Sequence, residues 1–159
     1  MVALCHSSLQ YRAMAPASFI VRPADWHVDG ERLRAIRRAV FVQEQGVPEE
    51  LEWDELDEHC RHVLALGPGE VVIGTGRLTP DARIGRMAVA REWRGLGVGS
   101  AILTALLQEA QNAGCVIVSL HAQVHALPFY EKHGFSAQGL EFLEADIPHR
   151  VMKIEFDTR

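Results

Sequence analysis

The sequence contains no Cys-x-x-Cys pair, and its three cysteines are odd in number and far apart, at positions 5, 60 and 115. This excludes a disulfide framework and fits a reducing, cytoplasmic setting. His59-Cys60-Arg61-His62 has no second ligand pair at recognisable spacing, so no metal site is expected. Cys115 opens an apolar run and reads as a small buried hydrophobe. No apolar run is long enough to cross a bilayer. The first residues lack the basic start and long apolar core of a secretory signal. Repeats and internal linkers are missing as well. Residues 1–18 are expected to be a mobile leader, and 19–159 to form one domain.

What is present is an ordinary globular composition: 159 residues, 48% apolar and 23% charged. A chain of this length suits one domain and buries roughly two-thirds of its unfolded surface. The charge is uneven. Residues 49–59 hold seven acids and no Lys or Arg, against a net charge of −5 for the chain, so the remainder stands at +2. This balance argues against a nucleic-acid partner. The acidic run reads either as a solvated face or as a field that draws a cationic ligand into a cleft.

Phe19–Arg22 predicts a first strand. Leu33, Ile36, Val40 and Phe41 recur at helical spacing after Asp29, a good N-cap, and Gly46-Val47-Pro48 ends that region. His62–Leu66 and Val71–Thr79 predict a hairpin across Gly67-Pro68-Gly69. Arg83–Ala90 and the β-branched run Val116–Leu120 predict two more strands, the second buried. Ala126–His133 reads as a short helix. A strand follows Gly134, and Val151–Phe156 alternates as the last one. Strands and helices mix without strict alternation, which predicts one mixed sheet with helices on both faces.

Arg94-Gly95-Leu96-Gly97-Val98-Gly99-Ser100 is the most informative stretch. It leads into a helix with Val98, Ala101, Ile102, Ala105, Leu106, Ala110 and Ala113 on one face, stopped by Gly114. Alternate glycines expose backbone N–H groups where a helix N-terminus adds about half a positive charge. Such a site suits an anion, most often a phosphate. An NTP-binding loop needs Lys after its last glycine, and here Ser100 and Ala101 follow. A dinucleotide fingerprint needs Gly-x-Gly-x-x-Gly directly after its strand. Here the spacing is Gly-x-Gly-x-Gly, and residues Ala90 to Arg94 intervene. The plainer alternative is a turn that only lets strand and helix pack closely.

Arg94-x-x-Gly97-x-Gly99, following the Met87-Ala88-Val89 strand, resembles the acyl-CoA-binding signature of the GNAT superfamily of N-acetyltransferases. Gln123 through Phe135 is similar to that family's Asn-x-x-Ala-x-x-Phe-Tyr-x-x-x-Gly-Phe segment, with Gln123 in place of the asparagine. Val40–Pro48, Gly74–Leu78 and Ile147–Met152 resemble the ElaA/YjcF-like subgroup. The resemblance covers residues 19–156. It implies an α/β (α+β) fold with a mixed, mostly antiparallel sheet of about six to seven strands. It also implies an N-acyltransferase that moves an acetyl or other acyl group from acetyl-CoA to an amine by direct attack in a ternary complex. A non-catalytic acyl-CoA-binding sensor is the rival reading.

The resemblance also implies roles. Met87, Ala88 and Val89 would pair with the pantetheine arm, with a backbone N–H near Val89 meeting the thioester oxygen. Arg94, Gly95, Leu96, Gly97, Val98, Gly99 and Ser100 would hold the pyrophosphate. Gln123, Ala126 and Phe129 would border the cofactor. Tyr130 would serve as general acid at the sulfur, with packing on Phe129 as the alternative. The family's basic positions on the strand before the loop fall here on Arg86 and Ala88, neither of them a base at neutral pH. His121, Glu144 and His149 remain as candidate bases, beside a water relaying to a carboxylate. The acceptor is expected to be a small-molecule or peptide amine, a cationic one if the acidic run steers it. No metal, membrane or nucleic-acid partner is implied, and a homodimer is left open.

Overall fold

The computed structural model describes residues 18–158. The leader reading of residues 1–18 therefore lies, Ser18 apart, outside the described residues. Strand β2 (Arg61–Leu66) is buried along nearly its whole length. Alternate side chains of a strand point to opposite faces. Val63 and Ala65 join one apolar cluster, while Leu64 and Leu66 join another. The sheet thus carries a core on each face.

Seven strands form one sheet in the order β1 (Ile20–Ala24), β2, β3 (Val72–Leu78), β4 (Arg83–Val89), β5 (Ile117–Gln123), β7 (Ile147–Glu155) and β6 (Ser136–Glu144). Every neighbouring pair is antiparallel except β4 with β5. This is the mixed, mostly antiparallel sheet that the sequence predicts.

Helix α3 (Val98–Asn112) covers one face, with Ile102, Leu103 and Leu106 fully buried. It approaches closely because β3 carries glycines beneath it. A Cβ on Gly74 would lie 2.7 Å from Ile102 Cδ1, and one on Gly76 would lie 2.7 Å from Leu106 Cδ1. Helix α1 (Trp26–Arg37) covers the other face, where Leu33 packs with Leu64 and Leu66, and Ile36 with Val40 and Ala88.

Helix α1 begins earlier than its sequence pattern suggests. Asp25 is the N-cap, its Oδ1 accepting from the backbone N–H groups of His27 (2.8 Å) and Val28 (3.1 Å). Asp29, the expected cap, lies buried in the first turn. It accepts from both terminal nitrogens of Arg22 (2.9 and 3.1 Å) and reaches back to the Asp25 N–H at 3.1 Å. Two acids four residues apart both favour a helix start, and only burial tells them apart. Beyond Arg37 the helix widens into a π-helical segment, Arg38–Glu44, closed by Gln45 N–H donating to Val40 O at 3.0 Å.

The acidic run folds into a short helix α2 (Glu49–Glu52) and a 3₁₀ turn (Asp57–His59). Arg37, 1% exposed, donates to Glu52 Oε1 at 2.7 Å and to Asp57 Oδ1 at 2.8 Å. Arg77 donates to Asp57 Oδ1 at 2.7 Å and to Asp54 Oδ2 at 2.6 Å. Arg86 Nε lies 3.4 Å from Glu52 Oε2. Three arginines and three acids therefore form one continuous network. Glu52 and Asp57 are buried and paired, neither solvated nor free to draw a ligand. Burial holds the His62 imidazole below its usual pKa, so it is neutral and its Nε2–H donates to Asp57 O at 2.8 Å. Burial likewise pushes the Cys60 thiol up to about 11, which leaves it unreactive.

Removing Arg37 would take one of two cationic partners from each of two buried carboxylates, Glu52 and Asp57, and leave a cavity. Arg37→Ala is expected to lower the unfolding free energy by about 3–5 kcal/mol in a urea titration. Arg61→Ala, which breaks an exposed pair with Glu109, should change it by less than about 1 kcal/mol. The hydrogen bond from Arg77, aided by the charges of Arg77 and Arg86, holds the Asp54 carboxyl at about 2 against an ordinary 3.8. Its stabilisation is complete above pH ~4 and disappears as the pH falls to ~2. Thermal melts between pH 5 and 2 should show a loss on the order of 1–2 kcal/mol from this group, absent in Asp54→Asn.

Candidate active site

The parallel pairing of β4 with β5 consists of Arg83↔Ser119 and Ile84↔Leu120 alone. Past that point β4 bulges. Arg86 has a φ of +49°, and the register against β3 shifts between Thr75 and Arg77. β4 stays bonded to β3 through Thr75↔Ala88 and Gly74↔Val89, while its other edge is free. Met87, Ala88 and Val89 therefore present open backbone toward a gap in the middle of the sheet.

The glycine loop lies at the end of this edge, after a 3₁₀ turn at Arg91–Trp93. Gly95 and Gly97 have φ of +74° and +87°, a left-handed backbone that side chains disfavour. Gly97 caps α3 without any side-chain hydrogen bond. Ala101 is the first residue whose N–H is taken within the helix, by Gly97 O at 3.0 Å. The N–H groups of Val98, Gly99 and Ser100 precede that ladder and have no intrahelical acceptor. Leu96 is exposed and Val98 is buried beneath the loop. Gly99 faces the Phe129 ring, and Ser100 Oγ lies 3.1 Å from His133 Nε2. The Arg94 guanidinium is held by protein: Nε donates to Val89 O at 3.0 Å and Nη2 to Glu44 Oε2 at 2.8 Å. Its side chain fixes the loop to the strand end and to the π-helical segment.

Tyr130 comes from α4 (Leu127–Lys132) and packs edge-on against Phe129 and Phe135. Its hydroxyl lies 3.8 Å from Met87 Sδ, across the gap. Burial pushes the phenol up to about 12, so it is protonated at neutral pH. Gln123, at the end of β5, donates to Gln45 Oε1 at 3.1 Å, a contact between the two sides of the opening.

A cavity of about 490 Å³ lies on the α1 face and reaches Met87, Ala126 and Tyr130 through the gap. His121, Glu144 and His149 meet in its wall. His121 Nδ1 lies 3.0 Å from Glu144 Oε1, and His149 Nε2 lies 3.6 Å from Glu144 Oε2. His149 Nδ1 lies 2.6 Å from Ile147 O. A carbonyl only accepts, so His149 carries its proton on Nδ1. A carboxylate also accepts, so His121 carries a proton on Nδ1, and its Nε2 keeps a lone pair when the ring is neutral. Glu144 is placed by a two-residue turn, Ala145-Asp146, with φ of +48° and +60°. That is the type I′ hairpin pattern. The sequence shows no Asn-Gly or Asp-Gly there, so the expected strand at Val151–Phe156 starts at Ile147 instead. Arg77, Arg83 and Arg86 also line this cavity. No local pattern singles out Arg83 or Gln45, because only tertiary placement brings them to the cavity.

Residues 26–156 match the family model of the acetyltransferase (GNAT) domain. The chain belongs to this family. It is 40% identical over 121 residues to the uncharacterized N-acetyltransferase YjcF of Bacillus subtilis, a match covering 74% of this chain and 86% of that one. The crystal structure of Escherichia coli ElaA superposes with a TM-score of 0.78 at 26% identity, over 87% of this chain and all of that one. An acyl-CoA N-acyltransferase from Pseudomonas aeruginosa gives a TM-score of 0.77 at 29% identity, over 86% of this chain and 99% of that one. The fold and the ElaA/YjcF likeness read from the sequence are borne out, and the chain is an acyltransferase of this type that uses CoA-linked donors. Among the described residues no helix is long and apolar enough to cross a membrane. Among the same residues no group of three His, Cys, Asp or Glu could hold a metal ion.

A Cβ on Gly97 would meet nothing within 4 Å, so its constraint is the backbone angle alone. Gly97→Val is expected to cost on the order of 1–2 kcal/mol, and Gly97→Asn less, because Asn tolerates the left-handed region. Thermal denaturation of the two variants measures the difference.

Proposed function

We propose that the protein is an acetyl-CoA-dependent N-acetyltransferase acting by direct transfer to an amine. The observation that carries this reading is the free β4 edge running into the uncapped N-terminus of α3, with Tyr130 across the gap. That edge offers N–H and C=O groups to the amides of a pantetheine arm at Met87, Ala88 and Val89. The N–H groups from Gly95 to Ser100 suit the pyrophosphate, where a hydrogen bond to a charged group contributes about 1.5–3 kcal/mol. No lysine is needed. Gln123, Ala126 and Phe129 border the same channel.

The acceptor amine enters from the cavity on the α1 face. His121 Nε2 takes the proton as the nitrogen attacks the thioester carbon. Glu144 holds that imidazole through Nδ1–H and stabilises its charged form. A backbone N–H near Val89 steadies the developing oxyanion. The C–N bond forms, the C–S bond breaks with its electron pair going to sulfur, and the Tyr130 O–H donates a hydrogen bond to the departing thiolate.

Thermal shift with acetyl-CoA, ATP and NAD tests the donor site. Saturating acetyl-CoA should stabilise the protein, by about 2.7 kcal/mol at 100 times its dissociation constant, and the other two should not. Tyr130→Phe should keep that stabilisation and slow thiol release about 10- to 100-fold. His121→Gln should slow it at least about 100-fold. No stabilisation by acetyl-CoA in cofactor-free protein would refute the donor assignment. Binding without thiol release for any amine would leave an acyl-CoA sensor.

A further inference from the structure

Three arginines line the cavity, and they are not equivalent. Arg77 is bound to Asp54 and Asp57, and Arg86 lies against Glu52 and Asp54. The side chain of Arg83 has no carboxylate within ion-pair distance among the described residues. Asp81 feels its charge but is bonded to the Thr79 hydroxyl. Arg37, Arg77 and Arg86 are matched one for one by Glu52, Asp54 and Asp57, so Arg83 is the arginine of the cavity lining whose charge is left over. Arg77 adds a second observation. It is 2% exposed, and its Nε–H is buried without an acceptor. Buried donors of this kind are rare unless a ligand or water satisfies them.

The register fixes where Arg83 stands relative to the proposed base. Ile84 and Leu120 belong to the core on the α3 face, so Arg83 and His121 both project from the α1 face. Arg83 is paired with Ser119, and His121 lies two residues further along β5. Two strand residues span about 6.6 Å. A cation and a carboxylate-held imidazole thus project from neighbouring strands into one cavity, their Cα atoms about 8 Å apart, with Glu144 bonded to the imidazole. That arrangement complements a compact molecule carrying an amine at one end and an anion at the other.

We propose that the acceptor is an amine bearing a carboxylate, an amino acid or a close analogue, whose carboxylate is bound by Arg83 while its nitrogen faces His121. This rests on the acyltransferase reading above. It also replaces attraction by the acidic run, whose buried members are already paired, as the source of acceptor selectivity. A guanidinium binds a carboxylate through two parallel hydrogen bonds, and a charge-assisted contact discriminates about 10- to 100-fold against a neutral isostere.

The test uses acetyl-CoA and matched pairs: glycine, β-alanine, γ-aminobutyrate and several larger α-amino acids, each against its carboxamide. Thiol release is followed, and kcat/KM is taken for each member. The carboxylate member of at least one pair should be preferred about tenfold or more. In Arg83→Gln that ratio should collapse toward one, mainly through KM. In Arg83→Lys part of it should return, since lysine restores the charge without the planar fork. Equal rates within every pair, a preference for the amides, or acceptance of no carboxylate-bearing amine would overturn the proposal. Stabilisation of the wild-type protein by acetyl-CoA separates the two levels. If it is present and the preference is missing, only the acceptor assignment falls. If it is missing, the donor assignment falls as well.

Discussion

After Ile84 and Leu120, two adjacent strands of one sheet cease to bond to each other, and both ligand sites follow from that separation. An open backbone edge inside a sheet is unfavourable, because each unpaired buried N–H or C=O carries a desolvation cost of about 1–3 kcal/mol. The gap must therefore be imposed from both sides. On one side Arg86 adopts a left-handed backbone, and its guanidinium donates to Glu52 O at 3.2 and 3.3 Å. On the other side β5 is fully occupied by β7, from Ile117↔Glu155 to Gln123↔His149. Each strand is satisfied on its outer edge, and the inner edges face a channel that a linear amide-bearing ligand can fill.

The network of Arg37, Arg77 and Arg86 with Glu52, Asp54 and Asp57 explains why Arg86 can hold that position. Buried ion pairs add little net stability over apolar packing of the same volume, because the desolvation of each charge offsets the attraction. Their contribution here is direction. Arg37 from α1 and Arg77 from β3 share Asp57, while Arg37 and Arg86 share Glu52, so one short segment is tied to a helix and two strands at once. The same pairing decides which charge is left for a ligand. A single additional acid at the position of Arg83's free end would neutralise the cavity wall, and none stands there among the described residues.

Much of this was legible in the sequence, and the missing parts share a physical cause. The hairpin across Gly67-Pro68-Gly69, helix α3 and the glycine loop all depend on local chemistry: turn glycines, three-to-four spacing and left-handed angles. The three candidate bases were found by residue type alone, without sign of how they relate. Their meeting depends on β5 and β7 being neighbours and on a type I′ turn at Ala145-Asp146, where neither residue is the glycine or asparagine that usually marks one. The burial of Glu52 and Asp57 within the acidic run is not legible locally, because their partners lie on α1, β3 and β4, far away in the chain. Arg94 reads from the sequence as part of the phosphate loop, and the contact of its guanidinium with Glu44 depends on the π-helical segment, which no periodicity announces.

The environment of Tyr130 sharpens what that residue can do. Its phenol stands at about 12, whereas a free thiol ionises near 8.5. Full transfer of the proton from this phenol to a thiolate would be uphill, because the phenol is the weaker acid. A departing thiolate is already a competent leaving group and does not require the proton. The low-dielectric setting that raises the phenol also strengthens a hydrogen bond from it to a charged sulfur. In the proposed mechanism Tyr130 therefore serves as a fixed donor that steadies negative charge on sulfur and keeps its own proton. On that account proton transfer is left to the histidine side of the gap, where Glu144 stabilises the imidazolium. The acid and base functions are then unequal: loss of the base stops the amine from shedding its proton, while loss of the phenol only weakens the hold on a group that leaves readily.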